Sequence, residues 1–163
     1  MTQTDKLHFL IDRFDHYYDS INSKGNAMLV IHKLSIGGFL TFYTFLYEKI
    51  EWSWFLKLLI AIVIILWGLS LFYTTYALMP YQKSAKDSLI FFGSIGQLQE
   101  SEYVKKVSLQ NDKEYNEDLA KQSYYLACGL RQKFARLKVA SKCLHLSYPF
   151  LFITIFFTII YLK

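Results

Sequence analysis

From Leu58 to Met79 the chain runs 22 residues without a charged side chain. Wound into a helix rising 1.5 Å per residue, such a run covers about 33 Å, enough to cross the hydrocarbon core of a bilayer. It is read as a transmembrane helix, and the rest of the chain has to be arranged around it. A second run, Leu146 to Leu162, holds 17 uncharged residues, and Leu144 and His145 lengthen it at the interface. A third, Leu34 to Tyr47, has 14 and must extend back through Lys33 and His32 to Met28 to span. Lys33 is placed at the interface, because a charge inside hydrocarbon is expensive.

Orientation follows from the bases, which stay on the cytoplasmic side of membrane segments. Pro80 to Cys143 holds eleven Lys and Arg residues, whereas the stretch between the first two spans has only Glu48, Lys49, Glu51 and Lys57 as charges, with Trp52 and Trp54 as an interfacial belt. The first 20 residues carry Asp5, Lys6, Asp12, Arg13, Asp15 and Asp19 and no secretory signal pattern, so the N-terminus is expected in the cytosol. The expected fold is an all-α integral membrane protein with about three transmembrane helices. Its small helical cytosolic region is built from the N-terminal helix and the loop between spans 2 and 3. The divisions are 1–27 (N-terminal amphipathic helix), 28–47 (span 1), 48–57 (outer loop), 58–79 (span 2), 80–143 (cytosolic helical region) and 144–163 (span 3). Cys128 and Cys143 then lie where thiols stay reduced, and no disulfide is expected.

Leu7, Leu10, Ile11, Phe14, Tyr17, Tyr18 and Ile21 recur at helical spacing, so residues 4 to 27 read as a helix running on into the first span. His8, Asp12 and His16 stand at four-residue steps, but no third strong ligand is fixed beside them, and no metal site is assigned. Gly96 to Asn116 is polar and reads as one or two short helices with a break near Gln110 to Asp112. A long helix is expected from an N-cap at Asn116, with Leu119, Leu126, Leu130, Phe134 and Leu137 on its apolar side. Between Arg131 and Lys142 there are five bases and no acid. Lipid headgroups explain such a cluster, and so does a bound phosphate. Ser88-Leu-Ile-Phe-Phe-Gly-Ser-Ile95 is too short to span. Leu89, Ile90, Phe92 and Ile95 are expected to form the core of the cytosolic bundle against Leu119, Leu126 and Leu130, with Phe91, Phe92 and Gly93 as the joint that couples it to the membrane.

No Gly-rich phosphate loop, Gly-x-Ser-x-Gly or His-Glu-x-x-His pattern is present, so no catalytic residues are assigned and no enzyme is expected. Taken in order, several blocks resemble the small membrane effectors of Pycsar anti-phage defence. They are Pro80 with its polar connector, SLIFFGSI with Glu102-Tyr103, Glu117-Asp118-Leu119-Ala120-Lys121-Gln122 leading to Lys133-Phe134, and Asn22-Ser23-Lys24-Gly25-Asn26-Ala27 entering the first span. Asn22 stands where the family usually has Asp.

The resemblance implies an effector in the bacterial inner membrane. It would bind a cyclic pyrimidine mononucleotide, cyclic CMP or cyclic UMP, made by a companion cyclase, and impair the membrane in abortive infection. Such an effector would act as a homo-oligomer, with no cofactor and no nucleic acid polymer as partner. A cyclic nucleotide needs cations for its phosphate, a face for its base and amides or hydroxyls for its edges. Lys24, Arg131, Lys133 and Arg136 are the candidate cations; Phe91, Phe92, Tyr103, Tyr124 and Tyr125 can stack; Asn22, Ser88, Gln122 and Ser123 can read edges. A ligand held between the N-terminal helix and the Glu117 helix would reorient both. A cyclic oligonucleotide signal, a nucleotide-independent holin-like pore former and a membrane anchor module remain open alternatives.

Overall fold

The computed structural model describes residues 1–50, 53–81, 85 and 87–161. Glu51, Trp52, Lys83 and Lys86, which entered the reading of the outer loop and the connector, lie outside the described residues. Among the described residues the elements are five α-helices: α1 (Gln3–Leu46), α2 (Trp54–Leu78), α3 (Phe92–Ile95), α4 (Glu100–Leu109) and α5 (Asp112–Ile160). The all-α class is confirmed. So is the number of spans, since α1, α2 and α5 are each long and apolar enough to cross a membrane.

The chain forms two compact units. Met1–Ser20 and Pro80–Gln132 make a polar unit, and Ile21–Met79 with Lys133–Lys163 a membrane unit; α1 and α5 each contribute a segment to both. The division on α5 therefore falls at Lys133, eleven residues before the expected start of span 3 at Leu144.

One repeat organises the long helices. On α1 a row of buried and half-buried positions runs through Thr4, Leu7, Ile11, Phe14, Tyr18, Ile21, Gly25, Met28, His32, Ser35, Phe39, Phe42 and Leu46 in alternating steps of three and four, with half-buried Ser20, Leu29, Ile36 and Tyr43 beside it. On α5 the same alternation links Leu119, Ser123, Leu126, Leu130, Lys133, Leu137, Ala140, Leu144, Ser147, Leu151, Thr154 and Thr158. A period of seven keeps one seam of each helix facing its neighbours, the geometry of knobs-into-holes packing. Counting apolar residues alone misses it, because a histidine, a lysine and several hydroxyls occupy seam positions.

In the membrane unit, Val63, Trp67 and Leu144 form a buried cluster with Met28, Phe39 and Leu151 packed around it. Phe39 meets Trp67 edge-on at 5.7 Å. Near the far end of the spans, Leu46, Ile50 and Leu56 form a second cluster with Phe42 and Phe157. The outward positions are the more hydrophobic ones, with Leu34, Phe45, Ile65, Phe72, Phe152 and Ile159 all exposed. In water that pattern would be a fault; in lipid it is the solvated surface.

Helix ends are set locally. Ser53 caps α2, its Oγ accepting from the Leu56 amide at 3.3 Å. The long final helix begins five residues earlier than the sequence suggests. Asn111 Oδ1 accepts from the Glu114 amide at 2.9 Å while Glu114 Oε2 accepts from the Asn111 amide at 3.2 Å, a reciprocal capping box that makes Asn111, not Asn116, the starting signal. Pro149 lies inside α5 and removes the amide that would pair with the carbonyl of His145.

Candidate functional site

The candidate ligand residues divide evenly between the units. Asn22, Lys24, Lys133 and Arg136 belong to the membrane unit, and Ser88, Tyr103, Gln122 and Arg131 to the polar unit.

Two of the cations have a task inside the membrane unit. Lys133 is 4% exposed, and its Nζ donates to the carbonyl of Ala77 at 2.8 Å. Arg136 Nη1 donates to the carbonyl of Tyr76 at 3.2 Å, and its guanidinium lies 3.7 Å from the centre of the Tyr76 ring. These carbonyls belong to the last turn of α2, where no intrahelical donor follows and the negative end of the helix dipole gathers. The two bases therefore close the C-terminus of α2 before Pro80. On α1, Asn22 and Lys24 are exposed, and the buried Gly25 beside them has a packing reason. A Cβ there would stand 2.7 Å from Cδ2 of Leu78, so α1 passes the end of α2 more closely than a side chain allows.

In the polar unit α1 packs directly along α5. Thr4 Oγ1 donates to Asn116 Oδ1 at 2.8 Å, Tyr115 Oη lies 3.2 Å from His8 Nε2, and Tyr18 Oη donates to the carbonyl of Leu126 at 3.1 Å. Desolvation is the main cause that pushes the Tyr18 phenol up to about 12, keeping it a donor. A Cβ on Gly129 would overlap the Tyr18 hydroxyl and stand 2.6 Å from the Tyr81 ring. The expected ligand cleft between these two helices is thus filled by their own contacts.

The stretch from Ser88 to Ile95 is a turn leading into α3. Ser88 Oγ accepts from the amides of Ile90 and Phe91 at 3.3 and 3.1 Å, and Asp118 Oδ2 accepts from the Leu89 amide at 2.8 Å. Tyr103 Oη donates to the Leu89 carbonyl at 3.4 Å. Ser88 and Tyr103 therefore hold backbone in place. The expected core position of Phe92 is corrected, because its side chain is 72% exposed. It leans on Phe91 at 4.7 Å between ring centres. Four apolar residues in a row cannot all face inward on so short a turn. Gly93 leaves room for the Phe91 ring, whose Cε1 would stand 2.5 Å from an added Cβ.

The open surface lies on the other flank of α5. One groove of about 490 Å³ is lined by Asp87, Leu89, Lys106, Glu114, Asp118 and Lys121, among others. Lys106 is paired with Glu102 at 2.9 Å and Lys121 with Glu117 at 2.7 Å. The groove is therefore net acidic and a poor host for an anion. A second groove of about 540 Å³ is lined by Ala85, Glu117, Ala120, Lys121, Tyr124 and Tyr125. Tyr124 is 66% exposed and meets Tyr125 edge-on at 5.7 Å. A hydrogen bond with Cys128 pushes its phenol above the ordinary value, an effect that nearby Arg131 opposes. Arg131 is exposed, two turns along the same face. Gln122, one turn from both Asp118 and Tyr125, keeps a buried Oε1 without a hydrogen-bond partner among the described residues.

The fold is that of an all-helical membrane protein with three helices long and apolar enough to span, and a polar unit that carries an aromatic groove. Residues 6–160 match the Pycsar effector protein domain, and the chain belongs to that family of anti-phage transmembrane effectors. Comparisons with curated proteins and with solved structures gave no match.

Proposed function

We propose that the protein senses a cyclic pyrimidine mononucleotide, cyclic CMP or cyclic UMP, and in response makes the bacterial inner membrane leaky. Its role is that of a sensor, not a catalyst. The observation that carries this reading is the Tyr124–Tyr125 groove on α5, of a volume that suits a small ligand. Tyr124 supplies a stacking face, and the exposed Arg131, two turns beyond it on the same side of α5, a charge for the single phosphate. The eleven bases of Pro80 to Cys143 support a cytosolic N-terminus and groove. Lys133 and Arg136 are assigned to closing α2, and Lys24 is an exposed cation on α1. Because α1 and α5 each contribute to both units, a ligand that favours one arrangement of α5 shifts the membrane unit with it. Three spans enclose too little space for a pore, so leakage involves several subunits and a companion cyclase that supplies the signal.

Calorimetry on the detergent-solubilised protein with cyclic CMP, cyclic UMP, cyclic AMP and a cyclic dinucleotide tests the ligand class. Tyr124→Ala should weaken binding about tenfold or more, the usual worth of one stacked base, and Arg131→Ala should do likewise. A Lys24→Ala variant that lost binding while Tyr124→Ala kept it would move the site to α1. Preferential binding of the cyclic dinucleotide would replace the mononucleotide. Equal vesicle leakage with and without nucleotide would leave a pore former under no such control.

A further inference from the structure

The membrane unit is inside out with respect to polarity, and its interior is oddly provisioned for a permanent core. His32, Ser70, Thr74, Ser147, Thr154 and Thr158 are all buried on the seams of α1, α2 and α5, while the outward faces are aliphatic and aromatic. Two of these groups are left over. His32 Nδ1 is engaged with the Met28 carbonyl at 2.6 Å, but its Nε2 is buried without a partner among the described residues, and so is the Thr158 hydroxyl. In hydrocarbon no water relieves such a group, and ionisable or unpaired polar side chains inside spans mark places where water or ions pass.

The hydrogen bonds that do exist sort into two kinds. Thr74, Thr154 and Ser147 donate to carbonyls of their own helices, those of Ser70, Phe150 and Leu144, at 2.8, 2.7 and 2.6 Å. These bonds survive if the helices separate. Apart from Lys133 and Arg136 at the end of α2, the side-chain bonds that cross from α2 to α5 among the described residues are the Trp67 indole N–H to Ser147 Oγ at 2.9 Å and Ser70 Oγ to the Ala140 carbonyl at 2.7 Å. A seam whose hydroxyls are mostly satisfied within their own helix can turn toward water at small cost once those two bonds part.

We propose that this seam is the stored lining of a hydrated path for water and small ions, closed at rest by the Trp67–Ser147 and Ser70–Ala140 contacts and the apolar plug of Val63 and Leu144. It rests on the reading of the protein as a membrane-permeabilising effector and specifies which face does the permeabilising. Subunits that open would turn their seams toward a shared lumen and keep their aliphatic faces in lipid.

The test needs no nucleotide. Protein is reconstituted in vesicles of phosphatidylethanolamine and phosphatidylglycerol, and chloride efflux is recorded for wild type, Leu144→Ser in the plug and Leu69→Ser on the lipid-facing side of α2. Leu144→Ser should raise resting efflux about tenfold, the effect of making a closed seam wet, and Leu69→Ser should leave it near wild type. Adding the near-isosteric Thr154→Val and Thr158→Val to Leu144→Ser should bring efflux back down by a similar factor. Equal effects of the two serines, no rise with Leu144→Ser in protein of native helical content, or efflux indifferent to the valines would each overturn the proposal. Ligand control is read separately by adding cyclic CMP to wild-type vesicles, so loss of nucleotide response and loss of the seam are distinguishable.

Discussion

Lys133 shows how far a residue's chemistry depends on what lies opposite it. Its place in a basic run and at helical spacing makes it a fair phosphate ligand; its buried contact with Ala77 makes it the closing residue of α2. The two roles predict different variants. Lys133→Met should lower the stability of the solubilised protein by about 1 kcal/mol, the usual worth of one hydrogen bond, and leave nucleotide affinity close to wild type. Thermal melts and calorimetry on one preparation separate the two effects. Asp15 gives a pH prediction. Burial, with Asp12 and Asp19 nearby, raises its pKa above the ordinary 3.8, so the folded state holds the Asp15 proton more tightly than the unfolded one. That contribution is full below 3.8 and is lost as pH rises through the folded value. Asp15→Asn should therefore be the more stable protein at neutral pH, with the gap closing as the pH falls toward 3.8. Melts across an acid series show whether it does.

Among the elements, the spans were legible because length and absence of charge are what a bilayer demands, and neither depends on a partner helix. The continuity of α1 was legible because the helical spacing of Leu7 to Ile21 leads into the uncharged run of the first span with no proline between them. The start of α5 was not. Asn111 and Asn116 are equally good caps by type, and only the return bond from Glu114 distinguishes them. Asn111→Ala should cost about 1 kcal/mol, whereas Asn116→Ala should cost only its bond with Thr4; comparing the two by thermal melts checks the assignment. Phe92 was misplaced because a run of four apolar residues reveals the need for burial and not which of them obtains it. The groove at Tyr124 and Tyr125 was half visible: both rings were candidates, but their exposure depends on α1 occupying the opposite flank of α5.

For the molecule as a whole, the seven-residue repeat matters more than any one contact. It recurs on α1 and α5 in the segments they give to each unit, while the outer faces of those segments change from polar to apolar. Polar seam residues hide that repeat from a count of apolar positions, and they are also the residues that the proposed path would use. Trp67 turns this arrangement into an observable. The chain has three tryptophans, Trp52 and Trp54 before the second span and Trp67 inside it, buried and bonded to Ser147. With the first two changed to phenylalanine, the remaining indole would be the lone tryptophan, at the contact whose parting would open the proposed path. Its fluorescence would shift to longer wavelength as water arrived, giving an optical trace of the transition in the same vesicles from which the ions escape.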